Sequence, residues 1–163
     1  RLWIKNLHPQ LISVKMFNNS VSCYTNFKVD ENDSWMIEDI DHKIFPEKIP
    51  HNELMNIMAN TDLTLYVTNT ECSPMIALES LSLGVPCLVG PTSGIYEDDE
   101  YFKEMLTVNR VDCSHAIYSA IKKVQENYDE IKSRIPAFIV EYNKNAQILK
   151  ENLINKINSI NQE

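Results

Sequence analysis

Residues 63–89, which read LTLYVTNTECSPMIALESLSLGVPCLV in one-letter code, decide the predicted fold. Leu63 to Val67 is an unbroken β-branched and aromatic run, which suits a buried parallel strand. The pair Ser73–Pro74 is typical of the N-cap and first residue of a helix. Gly84 suits the position just after that helix, and Pro86 to Val89 predicts the next buried strand. A strand, a helix and a strand in this order indicate a parallel sheet covered by helices.

The same alternation continues on both sides of this stretch. The sequence predicts further helices over about 8–17, from 51 onward, near 101–105 and over 114 to about 128. A last helical stretch continues from there to 158, with a break or kink at Pro136. Further strands are predicted at 21–25, 42–46 and 106–109. Residues 30–41 are acidic and irregular, and we expect Trp35 and Met36 to pack against the body of the domain. The predicted fold class is α/β, a Rossmann-like doubly wound parallel sheet. Residues 1–163 form one domain, with a helical C-terminal segment at 137–160.

Composition limits the possible functions of this domain. The 163 residues carry a net charge of −8, which argues against a nucleic-acid partner. The four cysteines form no C-x-x-C pair, which is typical of reduced thiols in a cytoplasmic protein. No apolar run is long enough for a membrane span, and no signal peptide opens the sequence. Because the sequence does not begin with Met and starts within a pattern, we expect a fragment of a longer chain.

Glu71 and Glu79 flank the predicted strand-to-helix turn, which is the part of a parallel sheet where ligands bind. The N–H groups of Met75 and Ile76 lie in the first helical turn and have no acceptor inside the helix, so they can face an anion. Carboxylates accept hydrogen bonds from adjacent sugar hydroxyls, so one Glu suits a hexose and the other a ribose. The alternative is that Glu71 interacts with the helix dipole and Glu79 is a solvated helix residue.

The segment from Glu71 to Glu79 resembles the E-x7-E motif of retaining glycosyltransferases with the GT-B fold, family 4 above all. The resemblance extends over Glu53–Leu54 and residues 62–67, and over residues 77–87, which are similar to the family's "ALE…A.G.PV" stretch with Ser82 where Ala is usual. Gly90 to Gly94 falls where the family has a Gly-containing loop. The resemblance implies the donor-binding C-terminal half of such an enzyme, without its first strand.

The resemblance also implies roles for individual residues. Arg1 and Lys5 would contact the donor diphosphate, although their spacing is tighter than the usual one. Glu71 would bind the transferred sugar and favour an oxocarbenium-like transition state, and Glu79 would bind the ribose. The main-chain groups of the remaining predicted site residues would meet sugar and phosphate: Ser73, Pro74, Met75 and Ile76. The nucleotide base would lie against residues 45–49.

The same resemblance implies the ligands and partners. The donor is a nucleotide sugar, of the UDP or GDP type, and no metal or further cofactor is needed in this half. The acceptor site and part of the catalytic machinery lie on a separate N-terminal domain, which would also make any membrane contact. This chain alone would bind donor weakly and transfer little or no sugar. The helix after Pro136 resembles the family's terminal helix, and an exposed apolar stripe there would mark the partner domain.

Three other functions compete with this interpretation. A sugar-nucleotide epimerase or hydrolase would have the same fold, and release of nucleoside diphosphate without an acceptor would favour it. A non-enzymatic α/β module would need an acidic cluster after the first strand and a Lys after a late one, and the sequence has neither. A dinucleotide-binding oxidoreductase would need a G-x-G-x-x-G motif, which is absent. Four histidines and the Asp98–Glu100 turn show no metal-ligand grouping, and they are interpreted as structural or surface residues: His8, His42, His51 and His115.

Overall fold

Strands and helices alternate along the computed structural model, which describes residues 5–18, 20–25, 29, 31–45, 48–72 and 74–160. The helices are α1 (Leu7–Lys15), α2 (His51–Ala59), α3 (Met75–Ser82), α4 (Glu100–Leu106), α5 (Ser114–Glu126) and α6 (Tyr128–Ile160). The strands are β1 (Ser22–Thr25), β2 (Asp41–Ile44), β3 (Thr64–Tyr66) and β4 (Cys87–Val89), and a 3₁₀ helix covers Glu31–Met36. The predicted α/β class is confirmed.

The strands form two parallel pairs, β1 with β2 and β3 with β4. Thr107 adds a parallel bridge beside Val89, and the N–H of Val108 donates to the Val89 carbonyl oxygen at 2.9 Å. The strand predicted at 106–109 is therefore wrong in extent. Helix α4 continues through Leu106, which is completely buried, so only one residue is left to pair before the chain turns away.

The larger core surrounds β4, whose three residues are all completely buried. Helices α3 and α4 both pack against β4, and α6 packs against α3. Phe102 of α4, Ile117 of α5 and Ile131 of α6 are among the residues that fill this core. A strand enclosed in this way explains why the sequence of β4 is continuously apolar rather than alternating.

A smaller core lies between α1 and the 3₁₀ helix and includes Leu11 and Met36. The prediction that Met36 is buried is confirmed, with 1% of its surface exposed. The same prediction for Trp35 is wrong, because half of that side chain is exposed. Successive side chains of a 3₁₀ helix point about 120° apart, so Met36 faces the core while Trp35 faces outward beside Lys15.

Helix α3 begins at Met75, and its N-cap is Pro74. This corrects the predicted start by one residue, and the predicted N-cap, Ser73, lies outside the described residues. The helix ends as predicted at Gly84, which has a positive φ of 75°. Two backbone bonds close the end: Gly84 N–H to Leu81 O at 2.9 Å and Val85 N–H to Ser80 O at 3.0 Å, the pair expected of a Schellman motif.

Helix α6 spans 33 residues and contains Pro136 in its interior, so of the predicted break or kink the break is wrong, whereas the kink stays a prediction. Proline removes one backbone hydrogen bond, and burial of Ile135 and Phe138 on either side of it offsets that loss. The segment predicted at 137–160 is thus the later part of a longer helix. Within the described part of the chain, none of the helices combines the length and apolarity needed to cross a membrane.

Candidate functional site

The carboxyl ends of β3 and β4 lie at the same edge of their parallel pair, and the loops that follow them come very close together. A Cβ atom on Gly90, directly after β4, would lie only 2.4 Å from the carbonyl oxygen of Thr68 in the loop after β3. Only glycine allows this approach, because real Cβ atoms do not come so near to a backbone oxygen. The two loops therefore form one surface at the end of the strands.

The start of α1 is fixed to this edge by amide side chains. Asn6 is buried and has a left-handed backbone, with φ 54°. Its side-chain amide donates to the Val67 carbonyl oxygen at 2.9 Å and also to the carbonyl oxygen of Val111. The Val67 N–H in turn donates to Gln10 Oε1 at 3.1 Å. These bonds position the preceding residue, Lys5, beside the loop after β3.

Lys5, Tyr66 and Glu71 form a cluster in which each side chain contacts the other two. The Lys5 ammonium forms an ion pair with Glu71 Oε1 and donates to the Tyr66 hydroxyl at 2.7 Å. The Tyr66 hydroxyl donates to the same Glu71 oxygen at 2.6 Å. The Lys5 nitrogen also lies 5.0 Å from the centroid of the Tyr66 ring, within cation–π range. The cluster thus combines a cation, a carboxylate and a phenol at the end of β3.

The ionisation of this cluster follows from its hydrogen bonds. The Lys5 and Tyr66 donors lower the pKa of Glu71, so its carboxylate is charged at neutral pH. The Glu71 acceptor raises the pKa of Lys5, and burial raises the pKa of Tyr66, which keeps the phenol protonated. Lys5 and Glu71 therefore form an ion pair, and the neutral Tyr66 hydroxyl is hydrogen-bonded to both charged groups.

Glu79, on the second turn of α3, pairs with a different partner. Its Oε1 lies 2.9 Å from Nε2 of His51, the first residue of α2. The His51 side chain is 68% exposed and that of Glu79 is 24% exposed, so this contact is at the surface. His51 was interpreted as a surface residue without grouping; the structure confirms the surface position but places the imidazole against a predicted site residue.

The first turn of α3 opens beside these side chains. Pro74 is buried and has no side-chain group that can cap the helix, whereas Met75 is 63% exposed. The N–H groups of Met75 and Ile76 therefore point out of the helix end without a cap from Pro74. From the loop after β4, Thr92 accepts a hydrogen bond from the Glu71 N–H at 3.0 Å. This bond fixes the backbone that carries the carboxylate.

The structure brings some of the predicted site residues together and leaves others undescribed. Lys5 and Glu71 are in direct contact, and Pro74, Met75, Ile76 and Glu79 follow on the loop and helix that Glu71 precedes. Arg1 and Ser73 lie outside the described residues, as do two positions of the predicted base segment, 46 and 47. Phe45, at the start of that segment, stacks on Tyr24 with ring centroids 5.5 Å apart.

Sequence reasoning missed five contributors to the site, namely Asn6, Gln10, His51, Tyr66 and Thr92. Asn6 had a readable signal, because Asn is favoured before helices and tolerates a left-handed backbone. Tyr66 had none, since an aromatic residue at the end of an apolar run is interpreted as core. Only the folded chain shows that its hydroxyl reaches Lys5 and Glu71.

The acidic turn at residues 98–100 has a structural role. Asp99 is the N-cap of α4, and its carboxylate accepts a hydrogen bond from the Phe102 N–H at 2.9 Å. No group of three or more His, Cys, Asp or Glu side chains suitable for a metal ion occurs in residues 5–160, apart from the undescribed positions. The site is therefore characterised by one ion pair, one Glu–His pair and a helix start.

Comparisons with known proteins give a result at the level of the fold. No protein-family model matches the sequence, and no curated protein matches it. Solved structures do match: a trehalose-6-phosphate synthase, studied for enzymatic glycosyl transfer with retention, has a TM-score of 0.63 at 11% identity over 86% of this chain. An OtsA apo structure gives 0.59 at 11% identity over 86% of the chain. The α,α-trehalose 6-phosphate synthase from Burkholderia multivorans gives 0.58 at 13% identity over 99%.

The chain spans about two fifths of each of these structures, namely 39%, 38% and 42% of their lengths. At such low identity the likeness shows the fold alone. The chain thus has the α/β fold of one part of GT-B glycosyltransferases, which agrees with the predicted fold class.

Proposed function

We propose that this chain is the donor-binding half of a retaining glycosyltransferase, and that the loops after β3 and β4 hold a nucleotide sugar. The observation that carries this proposal is the contact between Lys5 and Glu71 at the end of β3, eight residues before Glu79 on α3. A cation, a charged carboxylate and a helix start at one edge of a parallel sheet suit a ligand that is part sugar and part phosphate. The likeness to trehalose-6-phosphate synthases in fold, and the E-x7-E spacing, support the same assignment.

In the proposed complex Glu71 faces the transferred sugar. Its carboxylate is ionised, so it can accept from sugar hydroxyls and favour positive charge that develops at the anomeric carbon. Fixed charge of this kind stabilises an oxocarbenium-like transition state more than the ground state, which is the requirement for catalysis. The acceptor and further catalytic groups belong to a separate domain.

The diphosphate of the donor is bound by the cationic end of the cluster. Lys5 is half exposed, so its ammonium is accessible to an anion while it still contacts Glu71. The N–H groups of Met75 and Ile76 add partial positive charge from the helix start. Glu79 then binds the ribose, and the imidazole of His51 orients that carboxylate through its hydrogen bond.

Titration of the chain with UDP-glucose, GDP-mannose and ADP-glucose, followed by amide chemical shifts and thermal stability, tests this function. We expect saturable binding of one nucleotide class, which Glu79→Ala weakens about tenfold or more by removing the carboxylate proposed to bind the ribose. Glu126→Ala is the matched control, because Glu126 is exposed at the last residue of α5. Absence of any response in a folded wild-type chain contradicts the proposal, and so does equal weakening by both substitutions.

A further inference from the structure

The hydroxyl of Tyr66 contacts both the Lys5 ammonium and the Glu71 carboxylate. These two partners determine which way its proton points. Lys5 carries only donors, so the phenolic oxygen accepts from the ammonium at 2.7 Å. The Glu71 carboxylate carries only acceptors, so the phenol O–H donates to Oε1 at 2.6 Å. The single proton of the hydroxyl is therefore donated to Glu71, which sets the orientation of the O–H bond.

The backbone around Tyr66 is fixed from three sides. Tyr66 is the last residue of β3 and lies opposite Val89 in the parallel register. The next residue, Val67, is completely buried and is bonded through its carbonyl oxygen to Asn6 and through its N–H to Gln10. The phenol consequently projects from a rigid element, whereas Glu71 sits on a loop and Lys5 on a half-exposed side chain.

Both hydrogen bonds from the cluster to Glu71 end on Oε1. A carboxylate held through one oxygen by two donors has a restricted orientation. Neither of these two hydrogen bonds uses the second oxygen, Oε2, which can accept from a ligand hydroxyl. We propose that Tyr66 is a positioning residue of the donor site: its hydroxyl keeps the Glu71 carboxylate oriented for the sugar when Lys5 engages the diphosphate. The inference rests on the proposed function of the site.

This role separates Tyr66 from Lys5. An anion that binds beside Lys5 shares the three protons of the ammonium with Glu71, so it weakens the Lys5–Glu71 contact. The Tyr66 hydroxyl has one proton, which Glu71 accepts at 2.6 Å in a charge-assisted hydrogen bond, and this bond does not depend on Lys5. Tyr66 is thus the contact that keeps Glu71 in place in the bound state.

Tyr66→Phe removes only the hydroxyl and keeps the ring beside Lys5, so it is the variant that tests the inference. We expect the melting temperature to change little, the Glu71 pKa to rise towards its ordinary value because one donor to the ionised form is lost, and the affinity for the sugar nucleotide to fall roughly five- to tenfold. Binding of inorganic pyrophosphate, which lacks the sugar, should stay within about twofold of wild type. Tyr142→Phe on α6, outside the site, is the control for loss of a phenol.

The measurements are a carbon-detected NMR titration of the Glu71 carboxyl group and calorimetric titration with UDP-glucose, GDP-mannose and ADP-glucose. A raised Glu71 pKa together with selective loss of sugar-nucleotide affinity supports the positioning role. An unchanged Glu71 pKa, or a raised pKa with unchanged affinity, overturns it even though the wild type binds donor. A wild type that binds none of the three donors overturns the proposed function itself, and the two failures are thereby distinguished.

Discussion

The β3–β4 pair and the β1–β2 pair share the same parallel hydrogen-bonding geometry, but they are buried to very different extents. All three residues of β4 are inaccessible, and helices α3 and α4 pack on that strand. Strand β1 instead alternates between exposed and partly buried residues, and three of the four residues of β2 are exposed. Strand β3 is partly exposed along its length, so the β3–β4 pair is more enclosed than the β1–β2 pair mainly because β4 is covered on both faces.

The two pairs also differ in how firmly they hold the side chains at their ends. Tyr66 and the backbone of Glu71 are attached to the enclosed pair, so the ion pair with Lys5 has a fixed support. At the exposed pair, Tyr24 and Phe45 stack at the surface with Lys43 5.3 Å from the Tyr24 ring centroid.

The largest effect that would test this comparison is loss of a core side chain. Leu88→Ala in β4 should lower the free energy of unfolding by about 2–5 kcal/mol, because the side chain is completely buried and leaves a cavity. Ile44→Ala in β2 removes a side chain that is 50% exposed and should cost less than about 0.5 kcal/mol. Urea unfolding of both variants measures the contrast. Similar costs at the two positions would show that the pairs contribute equally.

The sequence was most informative at β4 and at the Gly84 turn, where burial and backbone sterics dictate the local structure and the structure has it. A strand also occurs within Leu63 to Val67, but β3 covers only Thr64–Tyr66, and the prediction that it is buried is wrong because all three of its residues are partly exposed. The sequence was less informative where a short helix or strand depends on its neighbours. Whether residues 106–109 pair as a strand depends on where α4 ends, and this is decided by packing of Leu106 rather than by local preference.

The site was predictable in part for the same reason. Glu71, Glu79 and the helix start follow from their spacing around a strand-to-helix turn. The role of Tyr66 and the pairing of His51 with Glu79 depend on contacts between residues that lie up to 61 positions apart. Such contacts leave no local pattern, and without aligned homologues a single sequence does not reveal them.

A smaller effect is expected from two serine hydroxyls that serve the two strand pairs. In the enclosed half, buried Ser80 donates to the Val85 carbonyl oxygen at 2.9 Å and shares a hydrogen bond with Thr64 at 2.8 Å. Ser80→Ala should cost about 1–2 kcal/mol, because it leaves buried polar groups without this partner. In the β1–β2 pair, the Ser22 hydroxyl donates a hydrogen bond to the Asp41 carboxylate at 2.5 Å. Because this bond is at the surface, water can replace the hydroxyl, and Ser22→Ala should lower the free energy of unfolding by less than about 0.5 kcal/mol.

Thermal and urea unfolding of these two variants would sharpen the comparison, since both changes remove one hydroxyl and nothing else. If Ser22→Ala lowered the free energy of unfolding as much as Ser80→Ala, the β1–β2 pair would exclude water to the same extent as the β3–β4 pair. That result would contradict the comparison.

The smallest expected effect is on the pH dependence of the free energy of unfolding. A residue in the β1–β2 pair and a residue after β3 should affect it in different pH ranges. In the β1–β2 pair, His42 Nε2 lies 2.7 Å from Thr25 Oγ1, and burial lowers the His42 pKa from its ordinary 6.5. Near pH 6.5 the unfolded chain therefore binds more protons at this residue than the folded chain. The stabilisation is complete above pH 6.5 and is lost as the pH falls from there through the folded pKa.

Glu71 responds in a more acidic range, because its pKa is lowered from 4.5 by Lys5 and Tyr66. Its contribution is complete above pH 4.5 and is lost as the pH falls through the folded value. Each effect should be below about 1 kcal/mol, since both groups are partly screened by solvent.

Urea unfolding between pH 8 and 3 measures both effects. The stability difference between wild type and His42→Gln should shrink on acidification from pH 8 to 5, whereas that between wild type and Glu71→Gln should begin to shrink only below pH 4.5. If the two stability differences shrank over the same pH range, His42 in β2 and Glu71 after β3 would not titrate independently. That result would contradict the separation of the two strand pairs.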